Sequence, residues 1–212
     1  MVFQIQCNTG GKMSLSYLET RKEMCKIAYY MWDRKLTNAA GGNFAVRVDD
    51  NRILITPSLM SQNHFCEMNP EDFLLIDYNE NIIEGSGKLS RETGMHVLIL
   101  KDFKNISATI HAHPQYCMVY AAQSKPIPNI TEATMKRGPV GCIPFTKAYS
   151  DELHKNVYQY WVEHRELAEK YPIGAIMPLH GVMVSGSDLH MAYSMLERIE
   201  QDAICGIFKN MI

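Results

Sequence analysis

Apolar positions recur at helical spacing early in the chain, where Leu15, Leu18, Cys25, Ala28, Met31 and Trp32 fall on one side of a 3.6-residue period. Ser14 or Ser16 stands where an N-cap belongs, so the spacing predicts an amphipathic helix that ends near Leu36. The stretch from Thr37 to Asn43, with Gly41-Gly42 inside it, breaks the pattern. The period then changes to two: Phe44, Val46 and Val48 alternate with Ala45 and Arg47, and Asp49-Asp50-Asn51 supplies turn chemistry before Arg52-Ile53-Leu54-Ile55-Thr56. These residues predict a hairpin. Phe73-Leu74-Leu75-Ile76-Asp77 and Ile82-Ile83, on either side of Asn79-Glu80-Asn81, predict a second strand pair.

Downstream, the pattern predicts a helix from about Ser90 to Phe103, a strand through Ile106-Ser107-Ala108-Thr109-Ile110, and a helix over roughly Gln115 to Gln123. Ser150 and Asp151 begin a long helix through about Glu169, with Leu153, Val157, Trp161 and Leu167 or Ala168 on one side. Asp188 begins the last helix, with Ala192, Met195, Ile199 and Ala203 inward. Strands gathered in the middle and helices interspersed point to an α/β fold, a sheet covered by helices. No repeat, low-complexity run or linker interrupts residues 14–212, which are expected to form a single domain. Residues 1–13 show no period and are expected to be a tail of unknown role.

Composition narrows the possible functions. The 212 residues carry 21 basic and 23 acidic side chains, a formal net charge of -2, so no electrostatic case exists for nucleic acid or an anionic membrane. No apolar stretch approaches the roughly 18 residues of a membrane span. Six cysteines are scattered without a CxxC pair, and no signal-like opening is present, so free thiols in the cytoplasm are expected. The 14 methionines are expected to fill core.

The most informative residues are His111-Ala112-His113 at the end of an apolar stretch. Side chains two apart on a strand share a face, so two imidazoles rooted roughly 6–7 Å apart can converge on one cation. His180, after the apolar run Ala175-Ile176-Met177-Pro178-Leu179, adds a third. Three neutral nitrogens with one coordination position open suit a catalytic zinc, with another divalent ion as the alternative. Two further segments bear on a ligand. Ala39-Ala40-Gly41-Gly42-Asn43 joins helix to strand, where glycine lets backbone approach a ligand and asparagine offers donor and acceptor. Ser90-Arg91-Glu92 sits at an expected helix start, where amides, a hydroxyl and a guanidinium favour a phosphate.

Five motifs in order resemble the class II aldolase/adducin family: Gly41-Gly42-Asn43-Phe44-Ala45-Val46; Ile55-Thr56-Pro57-Ser58; Lys88-Leu89-Ser90-Arg91-Glu92 with His96; Ile110-His111-Ala112-His113-Pro114; and Leu179-His180-Gly181-Val182. The resemblance runs from about Leu18 to Phe208. It implies a three-layer α/β/α fold with a mostly antiparallel central sheet, a zinc or other divalent ion, and a homotetramer with sites near subunit interfaces. It implies that His111, His113 and His180 hold the metal, and that Glu92 is the acid/base that touches the metal before substrate arrives. Asn43, Ser58 and Ser90 would hold the substrate phosphate, with Arg91 beside them in place of the more usual second serine. Leu59 likewise replaces a glycine, and the chain stops at Ile212, short of a tail that covers the aldehyde in some relatives.

The expected activity is zinc-dependent cleavage of a ketose 1-phosphate, of the L-fuculose 1-phosphate kind, to dihydroxyacetone phosphate and a short aldehyde. The same site allows three alternatives: epimerisation of a ketopentose phosphate, dehydration of methylthioribulose phosphate, or decarboxylation of a phosphorylated keto acid. Glutamate rather than aspartate at position 92 favours the aldolase over the epimerase. An adducin-like binding module is the non-enzymatic alternative, and the full set of histidines weighs against it. His96, one turn after Glu92, either orients that carboxylate or packs, and packing is favoured. Glu132 is a second acid/base or a solvated carboxylate, and His64, His154, His164 and His190 are given no role.

Overall fold

The computed structural model describes residues 15–211, so residues 1–13 and Ser14 lie outside the described part of the chain. The first helix, α1 (Leu18–Asp33), is followed by β1 (Asn43–Arg47) and β2 (Arg52–Ile55), paired antiparallel as the expected hairpin. Short helix α2 (Met60–His64) and a 3-10 turn at Pro70–Asp72 lead to β3 (Leu74–Asp77) and β4 (Ile82–Glu84). Then come α3 (Thr93–Asp102), β5 (Ala108–Ala112), α4 (Cys117–Ala122), α5 (Glu132–Met135) and β6 (Gly141–Cys142). The chain ends with α6 (Asp151–Glu163), α7 (Arg165–Ala168), β7 (Ile173–Met177), β8 (Gly181–Gly186) and α8 (Leu189–Phe208).

The eight strands form one sheet in the order β4-β3-β2-β1-β5-β8-β7-β6, antiparallel throughout except for the β6–β7 pair. Alternation along each strand sends its side chains to two different cores. Phe44, Val46, Leu54, Ile110, Val182 and Val184 pack with Met24, Ile27 and Met31 of α1 and Met195 and Ile199 of α8. Ala45, Ile53, Ile55, Ala175, Met177 and Met183 pack with Met95 and Ile99 of α3 and Val157 and Trp161 of α6. The fold is therefore three-layered, α/β/α, and both faces of the sheet are buried except at the edge strand β4, where Ile82 and Ile83 are exposed. The indole of Trp161 stays satisfied at depth by donating to Ser185 Oγ, 2.8 Å away.

Several local expectations are corrected. Ser16 does not cap α1: its backbone N–H turns to the Glu84 carboxylate, and Tyr17 enters the helix from the left-handed region with φ 57. The buried face of α1 is set by Arg21, Met24, Ile27, Ala28 and Met31, and Leu18 is exposed. Arg21 can face inward because its guanidinium is saturated by the Ser16, Pro70 and Phe73 carbonyls and Glu84. α1 also stops at Asp33, three residues early, because Leu36 and Thr37 fold back onto the Met31 carbonyl. The helix expected from Ser90 begins at Thr93, with Ser90 to Glu92 as its lead-in turn. The helix expected to run to Glu169 breaks at His164, whose Nδ1 bonds the Tyr160 carbonyl. Ser150 and Asp188 do cap α6 and α8, accepting from the amides of Leu153 and Met191.

Candidate active site

β5 lies inside the sheet between β1 and β8, and His111 on it pairs across to Asn43 on one side and Met183 on the other. His113 follows β5 directly. Pro114 then turns the chain into α4, whose first amides, Tyr116 and Cys117, donate to the buried Glu200 of α8 at 2.9 and 2.8 Å. His180 sits in the tight β7–β8 turn, next to Leu179 with φ 58, and the Leu179 amide is tied to the Ala121 carbonyl of α4 at 2.9 Å. Antiparallel pairing of β5 with β8 brings the end of one beside the start of the other. The three imidazoles therefore meet: ring centroids are 4.9 Å apart for His111 and His113, 4.8 Å for His111 and His180, and 5.7 Å for His113 and His180.

One ring nitrogen from each of the three could serve a metal ion, and these nitrogens lie within 4.8 Å of one another. His111 Nδ1 donates to the Val182 carbonyl at 2.9 Å, which leaves its Nε2 bare. That bare nitrogen faces His113 Nε2 at 3.2 Å. Two nitrogens about 2.0–2.1 Å from one tetrahedral ion would stand roughly 3.3 Å apart. Glu92 Oε1 lies buried 2.8 Å from His180 Nε2 and has no other partner among the described residues. Its other oxygen, Oε2, is 3.5 Å from His111 Nε2. A cation among these atoms would satisfy nitrogens and oxygen together, so the donor set fits one. Close packing defends the arrangement. A Cβ at Gly41 would lie 2.5 Å from His113 Cε1, and one at Gly181 would lie 2.6 Å from both His113 Cδ2 and the Ala112 carbonyl.

Burial alone would raise the Glu92 pKa. The His111 and His180 imidazoles and the Asn43 amide outweigh it and hold the carboxyl well below the usual carboxylate range. Burial, aided by the other two imidazoles, pushes His113 down to about 3, and burial lowers His111 as well. Asn43 Nδ2 donates to Glu92 Oε2 at 2.7 Å, and Asn43 Oδ1 lies 2.5 Å from His96 Nε2. His96 Nδ1 lies 2.7 Å from Thr109 Oγ1. The packing role favoured for His96 is thus incomplete: it reaches Glu92 indirectly, through Asn43.

Asn43, Ser58, Ser90, Arg91, Glu92, His111, His113 and His180 all line one cavity of about 350 Å³. Ser58 and Ser90 are brought together because the Ser58 amide donates to the Lys88 carbonyl at 2.8 Å, while Ser90 Oγ accepts from the Glu92 amide at 3.2 Å. Ser90 Oγ also lies 3.5 Å from Asn43 Nδ2. Glu132 is exposed on α5 and does not line this cavity.

Tyr149 is a lining residue that periodicity could not single out, since it stands among polar residues just before the α6 cap. Its ring lies 6.4 Å from that of His180, and the Arg91 guanidinium rests 3.8 Å from its centroid. His154, given no role from sequence, holds the Arg91 carbonyl through Nε2 at 2.9 Å. Leu59, Tyr149 and Leu179, all at the cavity, have φ of 64, 65 and 58, a left-handed conformation costly for bulky side chains.

A family model described as "Class II Aldolase and Adducin N-terminal domain" matches residues 22–205. An L-fuculose phosphate aldolase of Methanococcus maripaludis is 32% identical over 182 residues, which is 85% of this chain and 92% of that protein. A 3-oxo-tetronate 4-phosphate decarboxylase of Haemophilus influenzae is 28% identical over 192 residues, 88% of this chain and 86% of the relative. Among solved structures, an L-fuculose 1-phosphate aldolase superposes with a TM-score of 0.76 at 26% identity, covering 95% of this chain and 91% of its own. No helix among the described residues is long and apolar enough to cross a membrane.

Proposed function

This chain belongs to the class II aldolase and adducin family, and from that premise we propose that it is a zinc-dependent aldolase. It cleaves a ketose 1-phosphate, of the L-fuculose 1-phosphate kind, into dihydroxyacetone phosphate and a short aldehyde. The observation that carries this reading is the Glu92 carboxylate: buried, with Oε1 2.8 Å from His180 Nε2, in a cavity shared with His111 and His113. A surface carboxylate at a helix start would not be so placed.

His111, His113 and His180 hold the divalent ion, whose contribution when bound is Lewis acidity toward the ketone oxygen. Three imidazoles favour zinc over the harder, oxygen-seeking magnesium or calcium. Ser58, Ser90, Asn43 and the Arg91 guanidinium hold the phosphate and fix the sugar's register in the cavity. In cleavage the C4 hydroxyl gives its proton to solvent, the C3–C4 bond breaks with its electron pair passing to C3 as the C4 oxygen becomes the aldehyde carbonyl, and Glu92, having taken up a proton from solvent, delivers it to C3. In synthesis Glu92 removes that same proton. The unpaired cysteines Cys25, Cys66, Cys117, Cys142 and Cys205 support a reducing, cytoplasmic setting, and the working assembly is a homotetramer.

Arg91 also favours a second activity, decarboxylation of a phosphorylated keto acid, because it adds a cation at the cavity that a substrate carboxylate could use. One experiment separates these outcomes. Purified zinc-loaded protein is given L-fuculose 1-phosphate and related ketose phosphates, with triose release coupled to a dihydroxyacetone-phosphate reductase. Release of triose is expected. An epimeric product, dehydration or carbon dioxide, with no triose, rejects cleavage.

A further inference from the structure

We propose that His96 is a positioning residue that fixes the Glu92 carboxylate through Asn43, so that the proton of the reaction moves at Glu92 Oε1 and not at Oε2. The proposal rests on Glu92 as proton carrier. Its geometry stands on a chain of three hydrogen bonds whose direction can be assigned.

An ionised carboxylate only accepts, so the atom of Asn43 that stands 2.7 Å from Glu92 Oε2 must be its NH2. Asn43 Oδ1 then faces His96 Nε2 at 2.5 Å, and an amide oxygen only accepts, so His96 must carry its proton on Nε2. A neutral ring so protonated has a bare Nδ1, which accepts from the Thr109 hydroxyl at 2.7 Å. The order Thr109, His96, Asn43, Glu92 therefore has one sense, with each group donating to the next. His96 and Thr109 are both fully buried, so no water competes for these bonds.

Two consequences follow. Glu92 Oε2 is occupied by a donor, while Oε1 points at the imidazole cluster with no partner but His180 Nε2, 2.8 Å away. Rotation of the carboxylate would break a buried bond, so the two oxygens stay distinct and Oε1 is left to carry the proton. In addition, reversal of the His96 tautomer would turn its Nδ1–H onto the Thr109 hydroxyl oxygen and set a bare Nε2 against the Asn43 oxygen, two acceptors 2.5 Å apart. The Asn43 amide would then flip and repel Glu92.

The test uses full-length, metal-loaded protein. Long-range 15N spectra of the histidines, assigned by the His96→Gln variant, are expected to show His96 as the Nε2–H tautomer. The Nδ1–H form overturns the proposal. Glutamine places an N–H where His96 Nε2 stands, so His96→Gln is expected to keep kcat within about threefold for solvent exchange of a C3 proton of dihydroxyacetone phosphate. His96→Leu is expected to lose about 10–100-fold in kcat with KM nearly unchanged. Equal damage in both, or none in His96→Leu, overturns the proposal. Thr109→Val covers the case in which His96→Leu fails to fold: a mixed His96 tautomer and a reduced kcat are expected, and a pure Nε2–H form with full kcat overturns it. Failure of the wild type to exchange that proton would sink the aldolase reading, while the tautomer would still decide the hydrogen-bond chain.

Discussion

Adding one methyl group at Gly181 should dismantle the proposed metal centre. A Cβ there would meet the Ala112 carbonyl and His113 Cδ2 at 2.6 Å each, and His111 Cε1 at 3.1 Å. The Ala112 carbonyl belongs to a strand held on both sides, so it cannot retreat, and the imidazoles must. Restoring ordinary contact at His113 requires a shift of about 0.8 Å, whereas metal–nitrogen distances tolerate about 0.2 Å. Gly181→Ala is thus expected to weaken zinc binding by about a hundredfold, roughly 3 kcal/mol, and to cost about 1–3 kcal/mol of fold stability through overpacking. Gly87→Ala is the control, since its nearest neighbours would lie at 3.5 and 3.6 Å. Zinc titration of metal-free protein against a chromophoric chelator reads the affinity. If Gly181→Ala binds zinc within threefold of the wild type, the rings do not hold a cation in the way their packing demands.

Glu92→Gln keeps the shape and the bond to Asn43 but cannot take a proton; kcat should fall by about 10²–10⁴ with one zinc per chain retained in elemental analysis. Arg91→Ser removes the guanidinium from the proposed phosphate pocket and should raise KM about tenfold with kcat little changed in steady-state kinetics. His96 has a pKa of about 3 in the fold against 6.5 in its absence, because burial disfavours its cation. Its contribution to stability is full above pH 6.5 and is lost as pH falls toward 3, amounting to about 2 kcal/mol by pH 5. Urea unfolding of metal-free protein at pH 7.5 and 5 should show that loss reduced by about this amount in His96→Gln, and equal losses in both proteins would contradict it.

Much of the site was legible from the sequence because it rests on local rules. His111 lies on β5 and His113 directly follows its end, so their convergence follows from the two-residue alternation of extended backbone, which needs no tertiary information. Ser90 to Glu92 lead into a helix, and helix entry is marked by residue type. The order of motifs supplied His180, which spacing alone could not bring to the other two: the β5–β8 pairing did that. What stayed hidden depended on distant partners. Arg21 looks like a surface residue until three carbonyls and Glu84 surround it, and Glu200 and Asp202 point inward from α8 because helix α4 and the Thr131–Thr134 turn need acceptors. His96 could be matched to Glu92 by its i,i+4 spacing, but its true partner, Asn43, sits 53 residues away. Tyr149 meets Arg91 through a left-handed backbone conformation that no residue-type preference forecasts for tyrosine.

Anomalous scattering at the zinc edge from crystals of the metal-loaded protein tests the whole scheme most directly. The expected result is one strong peak per chain, about 2.0–2.1 Å from a nitrogen of each of His111, His113 and His180, with Glu92 beside it. A peak elsewhere on the chain, or an ion held without His180, would contradict it.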